Sequence, residues 1–415
     1  MKIVHLLGCP IESGAGRGVL ALHSKLLELG IDSIILGKAE TGLTSEQRII
    51  SVPRWTKIRS GIASRFKRFS LERKHGKFPL NFEPHLDGLN LHHYPEYKDA
   101  DIVHIQWANG RTFSEGMWTA LANDQRPVFW TLRDMWPFTG GCHYSGECSR
   151  YQNECGDCPL LDNRFETVTR QDLAFKTRHY PSINFLTISN HFAKIASKSS
   201  ALTNGIQVIA NSIDTQKFVL FDKAEARDRL GLPQDVFLFS AGAINFDEER
   251  KGGKVIANTM AAASGRNDIH LAVFGTGFEH FMDKHNNCIT NFGTIRDAKI
   301  LNLLYAASDV YLMPSTEESF GKTIIEAMAS GTPVLAYGNT PADDIIDQNT
   351  GFVVPFKNSG SFIRKALELA MLKRETLSKM GRKARLRVER NFSSDVIARE
   401  HIELYKSYLK LDDLV

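Results

Sequence analysis

The stretch that decides the fold is MPSTEESFGKTIIEAMASGTPVLAYG, which runs from Met313 to Gly338. Its pattern predicts a buried strand ending at Pro314, a short polar loop, a helix over 321–330 and, after a Gly-Thr-Pro stop, a second apolar strand. Two continuous apolar strands separated by a helix are typical of a parallel α/β sheet covered on both faces.

The same stretch predicts an anion site at the start of its helix. A small, glycine-marked entry loop, Ser319-Phe320-Gly321, leaves the first helical amides available to bind an anion. Glu318 lies in this loop and Glu326 lies inside the helix. One carboxylate is therefore placed for sugar hydroxyls and the other for ribose hydroxyls, an arrangement that suits a nucleoside diphosphate-sugar.

Length and composition indicate a soluble protein of two domains. The chain has 415 residues, which is long for a single core, with 42% hydrophobic and 24% charged residues. The sequence contains no uncharged apolar run of about 18 residues, the minimum for a transmembrane helix. The first apolar run is too short for a secretory signal. We therefore expect a cytoplasmic protein.

Positive charge is concentrated in the segment 54–77, although the formal net charge of the chain is only +4. Apolar residues recur in this segment at spacings of three and four. The basic residues are Arg54, Lys57, Arg59, Arg65, Lys67, Arg68, Arg73, Lys74 and Lys77, and the apolar residues are Trp55, Ile58, Ile62, Phe66 and Phe69. This pattern predicts a basic amphipathic helix that lies on an anionic membrane surface. The alternative is a helix whose apolar stripe packs on its own domain. We do not expect a nucleic-acid partner, because no recognised nucleic-acid motif accompanies the patch.

Strands and helices alternate in both halves of the chain, so the fold class is α/β with two Rossmann-like, doubly wound domains. We place the first domain at 1–207, the second at 208–392, and a terminal helix that crosses back to the first at 393–415. Doubly wound domains bind ligands at the carboxyl ends of their strands. We therefore expect the two domains to face a central cleft.

The loop after the first strand contains Gly14, Gly16 and Gly18, which allow backbone amides to approach a phosphate. The alternative is a plain tight turn. The spacing differs from the G-x-G-x-x-G of dinucleotide-binding proteins, and no acid ends the second strand to bind a ribose. Both features argue against a nicotinamide-dependent oxidoreductase, which is the alternative from another enzyme class.

Two further charged pairs end predicted strands. Arg133 and Asp134 precede aromatic residues and could form part of a sugar-binding wall, or a structural ion pair. Arg250 and Lys251 could supply the fixed positive charge that a diphosphate leaving group needs. No Asp-x-Asp pair is placed to hold a metal there, so we expect no catalytic metal.

Four of the six cysteines, Cys142, Cys148, Cys155 and Cys158, have the spacing C-x5-C-x6-C-x2-C. The last pair is a good metal knuckle and the first is looser. The spacing favours a structural zinc ion with a closed shell of four thiolates. The alternatives are buried free thiols, or disulfides that form on oxidation. We expect the adjacent His143 to be a bystander or an acceptor contact.

PSTEESFGKTIIEAMASGTPVLA resembles the signature of the retaining glycosyltransferases of family 4, which have the GT-B fold. Supporting segments are VIANSID at 208–214, SAGAINFDEERKGG at 240–253, VFGTG at 273–277 and FGTIRDAKILNLLYAASDVYLMPS at 292–315. In the first half, TLRDMWPFTGGCHY with its four cysteines is similar to the exopolysaccharide, or colanic-acid-type, subgroup. The resemblance covers nearly the whole chain.

The resemblance implies roles for individual residues. Glu318 holds the hydroxyls of the donor sugar, Glu326 the ribose and Lys251 the diphosphate. The remaining implied donor contacts are the amides of Ser319, Phe320 and Gly321, the nucleobase border at Gly275, Gly277 and 293–296, which includes Ile295, and the phosphate or acceptor contact at Gly16. The acceptor hydroxyl attacks on the face from which the nucleotide leaves, so no protein nucleophile is needed.

Two positions depart from the family pattern. Arg133 stands where the family usually has His, and Gly242–Ala243–Ile244 lacks an Arg that the family often has. Arg250 or Arg133 could compensate. A degenerate sugar-nucleotide-binding protein without turnover is therefore an alternative. The subgroup resemblance and the basic helix together imply a saccharide acceptor carried on a lipid at the inner membrane face.

Overall fold

The computed structural model describes residues 1–37, 48–79, 82–110, 112–161, 166–281 and 288–409, with no side-chain description for 54–60, 63 and 75. The chain divides into two compact units. The first unit comprises Met1–Ala210 and Ile397–Val415, and the second comprises Asn211–Val396.

Within the described residues, the first unit contains a seven-stranded parallel sheet of order β3-β2-β1-β4-β5-β6-β7. Its strands are β1 (Lys2–Leu7), β2 (Asp32–Gly37), β3 (Ile49–Ser51), β4 (Ile102–Trp107), β5 (Val128–Leu132), β6 (Ile183–Thr187) and β7 (Ile206–Val208). Its first six helices are α1 (Gly14–Glu28), α2 (Arg54–His75), α3 (Pro95–Lys98), α4 (Glu115–Ala122), α5 (Glu166–His179) and α6 (Asn190–Ala196).

The strands of this sheet are apolar on both faces, because helices cover both. In β1, Val4 packs into the core on one face with Trp130 of β5, whereas Ile3 packs on the other face with Phe129. Tyr405, near the end of the chain, also belongs to the core that contains Ile3. The terminal helix is thus part of the first unit because its apolar side covers one face of that sheet.

The second unit contains a parallel sheet of order β10-β9-β8-β11-β12-β13. Its strands are β8 (Phe237–Asn245), β9 (Ile269–Thr276), β10 (Ile289–Asn291), β11 (Val310–Met313), β12 (Val334–Tyr337) and β13 (Gly351–Val354). The remaining helices of the chain are α7 (Lys223–Leu230), α8 (Gly253–Ala262), α9 (Ala298–Ala307), α10 (Lys322–Ala329), α11 (Ala342–Ile345), α12 (Ser359–Leu369), α13 (Arg374–Asn391) and α14 (Ser394–Leu409).

The two parallel α/β sheets confirm the predicted fold class. The largest differences from the predicted elements lie at helix ends. The three glycines expected in a loop, Gly14, Gly16 and Gly18, lie instead in the first turns of α1. This helix begins at Gly14 because the Ser13 hydroxyl accepts a hydrogen bond from the Gly16 amide at 3.0 Å. The terminal helix expected at 393–415 corresponds to α14, which the structure describes from Ser394 to Leu409. Among the described residues, no helix is both long and apolar enough to cross a membrane.

Candidate functional site

Helix α10 begins directly behind the carboxyl end of β11, with Gly321 at its N-cap. Gly321 has a φ of +87°, in the left-handed region that glycine adopts without strain, and no side chain caps this end of the described helix. The polar loop 315–320 therefore leads into a helix whose first amides resemble those of an anion site.

Lys251 and Glu318 form an ion pair beside this helix start. The ammonium of Lys251 lies 2.5 Å from Oε1 of Glu318, and each side chain is 16% exposed. Lys251 follows the long strand β8 and precedes α8. The loop from β8 is held against the loop from β11 by a hydrogen bond of 2.8 Å from the Thr316 amide to the Arg250 carbonyl.

Gly252 allows these two loops to approach each other. Its φ is +70°, and a Cβ added there would lie 2.5 Å from the carbonyl oxygen of Pro314. Only a residue without a side chain fits this contact. The close contact of the Gly252 backbone with Pro314 thus holds the neighbouring residue Lys251 next to Glu318.

Arg250 lies in the same loop and binds Glu248 and the carbonyl of Glu317. One terminal nitrogen donates to Oε2 of Glu248 at 2.5 Å, and the other donates to the carbonyl of Glu317 at 3.2 Å. Its guanidinium thus lies against the backbone of the residue preceding Glu318. Of the two cations in this loop, only Lys251 is ion-paired to Glu318 in the structure.

Glu326 is buried in α10 and is held by a tyrosine. The hydroxyl of Tyr305, on α9, donates to Oε2 of Glu326 at 3.2 Å. Burial, and secondarily the Glu326 carboxylate, raise the pKa of Tyr305 well above its usual value. Tyr305 therefore stays a neutral hydrogen-bond donor to this carboxylate.

Tyr311 on β11 lies near both Glu318 and Glu326. Its pKa is raised first by burial and then by both Glu326 and Glu318, so both carboxylates lie near this phenol. Its hydroxyl donates to the Gly242 carbonyl at 3.2 Å. The sequence analysis missed Tyr305 and Tyr311. The available signal was that a tyrosine within an apolar helix or strand needs a polar partner when buried.

Two glycines at the carboxyl end of β9 have left-handed backbone conformations. Gly275 has a φ of +112°, its amide donates to the Gly293 carbonyl at 2.7 Å, and a Cβ there would lie 1.6 Å from the Ala243 carbonyl oxygen. Gly277 has a φ of +81°. Segment 293–296 therefore lies beside Gly275, and its residue Ile295 is partly exposed.

In the first unit, Arg133 lies over the glycine-rich start of α1. A Cβ added to Gly18 would lie 3.6 Å from Nη1 of Arg133. The other terminal nitrogen, Nη2, donates to Oε1 of Gln106 at 2.8 Å. Burial lowers the pKa of Arg133 to about 10. Gly16 is buried in the first turn of α1, where its missing side chain lets the helix approach the Pro10 carbonyl.

Asp134 binds partners other than those of Arg133. Its carboxylate accepts from the Trp136 amide at 2.9 Å and bonds to Nδ1 of His143 at 2.8 Å. Burial alone would lower the pKa of His143, but the Asp134 carboxylate outweighs it and the pKa is raised. His143 is therefore a direct partner of Asp134, a role more definite than the bystander or acceptor contact that we expected.

The side chain of Lys176 holds the loop that follows β5. The buried ammonium donates to the carbonyls of Trp136 at 2.5 Å and Thr139 at 2.7 Å, and lies 3.7 Å from the centre of the Trp136 ring. Burial lowers the pKa of Lys176 to about 8, against the opposing effect of Asp172. Such a network fixes the loop that follows β5.

The four cysteines line one small cavity of about 20 Å³. All six cysteines of the chain are free thiols. Burial raises the pKa of Cys142, Cys155 and Cys158. Among the described residues, no three or more His, Cys, Asp or Glu side chains are placed to hold a metal. Four cysteine sulfurs are ligands that suit zinc, but their positions in the structure do not form a coordination shell. The zinc ion therefore stays a prediction.

Comparison with known families finds one match, in the second unit. Residues 235–371 match the family model described as Glycosyl transferases group 1. The match includes Lys251, Glu318 and Glu326, together with Gly275 and Gly277. The geometry and the family model therefore point to the same part of the chain.

Two curated relatives extend the comparison. The chain is 22% identical to the putative colanic acid biosynthesis glycosyl transferase WcaC of Escherichia coli K12, over 83% of this chain and 84% of that protein. It is 37% identical to the capsular polysaccharide biosynthesis glycosyltransferase CapM of Staphylococcus aureus, over 26% and 28% of the two chains.

A solved structure resembles the whole chain in fold. Anabaena HepE, in complex with UDP and glucose, covers 98% of this chain and 100% of its own, with a TM-score of 0.66 and 14% identity. At this identity the likeness concerns the fold alone. It confirms the GT-B class predicted from the sequence.

Proposed function

We propose, from the match of residues 235–371 to Glycosyl transferases group 1, that the protein is a retaining glycosyltransferase. It would move a sugar from a nucleoside diphosphate-sugar to a saccharide acceptor. The observation that carries this proposal is the Lys251–Glu318 ion pair at the start of α10. It places a cation and a carboxylate together beside a helix N-terminus, as a diphosphate joined to a sugar requires.

The diphosphate is assigned to Lys251 and the first amides of α10. A helix N-terminus favours an anion through its dipole and its unpaired N–H groups. Lys251 adds a full positive charge, and Arg250 supports the loop through Glu248 and the Glu317 carbonyl. These groups supply positive charge from the protein, so the proposed reaction needs no catalytic metal.

Glu318 is assigned to the hydroxyls of the donor sugar. Its contact with Lys251 holds the carboxylate beside the cation assigned to the diphosphate, which supports this assignment. Such fixed orientation is the main contribution that a transferase of this type can make to the rate. Ser319, Phe320 and Gly321 continue the loop and offer backbone amides to the donor.

Glu326 is assigned to the ribose. Tyr305 binds one of its carboxylate oxygens and keeps the side chain in a fixed orientation within α10. The base would lie beside the segment that contains Gly275, Gly277 and Ile295, of which Ile295 is partly exposed. Each assignment uses groups of the second unit alone.

The proposed reaction forms a bond from the acceptor oxygen to the anomeric carbon and breaks the bond from that carbon to the β-phosphate oxygen. The acceptor proton passes to the leaving phosphate. Attack on the face from which the diphosphate leaves retains the configuration. The protein stabilises the negative charge that develops on the diphosphate, principally through Lys251 and the amides of α10.

In the first unit we assign acceptor contacts to Arg133, whereas the Gly16 amide, expected to approach a phosphate or the acceptor, donates to the Ser13 hydroxyl within α1. Arg133 lies over the start of α1 and is held by Gln106, so its guanidinium can bind an anionic or hydroxyl-rich group. Asp134 is a positioning residue in this scheme, because its carboxylate oxygens bind the Trp136 amide and His143.

The acceptor is proposed to be a growing saccharide, carried on a lipid, in cell-surface or exopolysaccharide biosynthesis. Support comes from the relatives named for colanic acid and capsular polysaccharide biosynthesis. An acceptor on a lipid would place a cytoplasmic enzyme at the inner face of a membrane, as a peripheral protein.

The proposal is tested with purified protein and a panel of nucleoside diphosphate-sugars. A donor present at a hundred times its dissociation constant should stabilise the fold by about 2.7 kcal/mol, which a thermal shift detects. The stabilising donor is then offered with saccharide acceptors, and nuclear magnetic resonance of the product reports its anomeric configuration. Full turnover by Glu318→Gln, or an inverted product, would refute the assigned mechanism.

A protein that binds sugar-nucleotides without turnover is the second candidate. The observation that favours it is the end of β8, where Gly242–Ala243–Ile244 replaces an Arg expected from the family resemblance. Isothermal titration beside the turnover assay separates the two candidates. Tight donor binding with no transfer to any acceptor would favour this second candidate.

A further inference from the structure

Helix α2 turns its apolar stripe toward solvent. Ile62, Phe66 and Phe69 are 63%, 75% and 63% exposed. The opposite side faces the protein, with Ser64 only 2% exposed and Leu71 packed against the Phe78–Phe82 cluster. For these three residues, the alternative of a stripe packed on its own domain is wrong.

The three exposed side chains lie on one face of the helix. Their spacings of four and three residues bring them one above another along the helix axis. A single exposed apolar side chain is common, whereas a contiguous apolar strip rimmed by polar residues marks an interaction surface. Helix α2 carries such a strip on the side that does not pack on the first unit.

The surroundings of this strip are positively charged. Arg65, Lys67, Arg73 and Lys74 are exposed on α2, with Arg73 in line with the strip, Arg65 beside it, and Lys67 and Lys74 farther round the helix. Glu72 is paired within the helix to Arg68, at 2.8 Å between Nε and Oε1. The side chains of Arg54, Trp55, Lys57, Ile58 and Arg59, which belong to the same sequence pattern, lie outside the described residues.

We propose that the face of α2 formed by Ile62, Phe66, Phe69, Arg73 and Lys74, the α2 docking face, binds an anionic lipid bilayer. A helix with exposed aromatic residues and a basic rim lies in the plane of the interface, with its rings at headgroup level and its cations on anionic lipid. The charge of the face is complementary to such a surface.

A bilayer suits this face better than a nucleic acid does. The centre of the face is aliphatic and aromatic, and Ile62 offers neither a hydrogen bond nor a stacking surface to a base. A nucleic-acid site of this kind would place its cations at the centre, where the phosphates are. The acyl region of a bilayer accepts all three apolar side chains.

The experiment is flotation of the full chain with vesicles of equal parts phosphatidylglycerol and phosphatidylcholine, compared with phosphatidylcholine alone. The anionic vesicles should capture the wild-type protein and the neutral ones should not. Phe66→Ser with Phe69→Ser should weaken capture by more than about tenfold, because each ring loses its transfer to the interface. Arg73→Gln with Lys74→Gln should weaken it by roughly fivefold per charge.

Matched controls carry the same changes on exposed residues elsewhere. Met371→Ser removes another exposed apolar side chain, and Lys198→Gln with Arg382→Gln removes two exposed charges. These controls should float like the wild type. All substitutions lie at the surface, where unfolding free energies change by about 0.5 kcal/mol or less.

Two results would overturn the assignment. One is equal flotation of wild type and the Phe66–Phe69 variant on anionic vesicles, or no flotation of either. The other is tighter binding of duplex DNA than of anionic vesicles, lost with the same α2 substitutions. Vesicle capture requires no donor or acceptor, so this result and the outcome of the transfer assay are independent.

Discussion

The ammonium of Lys251 contacts a carboxylate oxygen of Glu318 at 2.5 Å, across 67 residues of sequence. Both side chains are 16% exposed, so water screens the pair only in part. The pair joins the loop after β8 to the loop before α10. A diphosphate at the start of α10 would thus meet a cation that is already oriented by a neighbouring carboxylate.

Replacing Lys251 by Met should weaken the affinity for nucleoside diphosphates by about 10- to 100-fold. A hydrogen bond to a charged group contributes about 1.5–3 kcal/mol, which corresponds to that range of affinity. Isothermal titration with the nucleoside diphosphate measures the change directly. Lys254→Met is the matched control, because Lys254 is an exposed lysine in the first turn of α8. Equal losses in both variants would contradict a specific role of Lys251.

Tyr305→Phe should reduce nucleotide affinity without abolishing transfer. The variant removes the 3.2 Å hydrogen bond to Glu326 and leaves the ring, which packs 5.3 Å from that of Tyr311. The affinity should fall by less than about tenfold, as expected for one hydrogen bond. Tyr337→Phe is the control, since Tyr337 is also buried in the second unit and packs on Phe362. The idea fails if the two variants bind donor equally well.

The His143–Asp134 pair predicts a dependence of stability on pH. The pKa of His143 is raised above its usual 6.5 in the folded protein, so the folded state holds this proton more tightly than the unfolded state. The stabilisation is complete below pH 6.5 and disappears as the pH rises through the folded pKa. The difference in unfolding midpoint between wild type and His143→Gln should therefore be largest in mild acid and shrink above neutrality.

His280→Gln serves as the control for this pH profile. His280 pairs with Asp247 at 2.7 Å but is an exposed residue, where solvent weakens the interaction. Its effect on the midpoint should be smaller at every pH. A constant offset between wild type and His143→Gln across the range would show that the ring acts by packing alone.

The cysteine spacing predicts one bound zinc ion per chain. Protein purified under reducing conditions should contain it by plasma mass spectrometry, and Cys155→Ser should lose it. Cys288→Ser, outside the cavity lined by the four cysteines, should retain it. Zinc would stabilise the thiolate forms, against the burial that raises the pKa of these groups. Metal-free protein that keeps its unfolding midpoint in chelator would exclude the ion.

Local patterns predicted the sheets well, because continuous apolar strands such as β4 and β11 can only be buried in a covered parallel sheet. The motif around Glu318 similarly located the start of α10. Long-range side-chain partners were not predictable. Nothing in the spacing shows that Tyr305 binds Glu326 or that His143 binds Asp134, because such contacts depend on how helices pack on the sheet.

The sequence also does not show which face of α2 packs on the protein and which is exposed. Its apolar stripe is equally compatible with packing inward or pointing outward, because the amphipathic pattern is the same. Only the burial of Ser64 and Leu71 shows which side faces the protein. In the same way, a glycine in a sequence does not reveal whether it fills a turn or permits a close backbone contact.

Gly252→Ala tests such a backbone contact. The position has a φ of +70°, and a Cβ would lie 2.5 Å from the Pro314 carbonyl oxygen, so the loop that carries Lys251 must shift. We expect a loss of more than about 2 kcal/mol in unfolding free energy, from the left-handed conformation and the clash together. Gly265→Ala is the control, because Gly265 has a φ of +83° and open space around its Cβ position. It should lose only about 1–2 kcal/mol, the cost of the conformation alone. Thermal unfolding measures both variants.

Titration with nucleoside diphosphate should show weakened binding in Gly252→Ala but not in Gly265→Ala, because the shift of the loop separates Lys251 from Glu318. Normal nucleotide affinity in Gly252→Ala would mean that Lys251 does not need this loop geometry to bind the diphosphate.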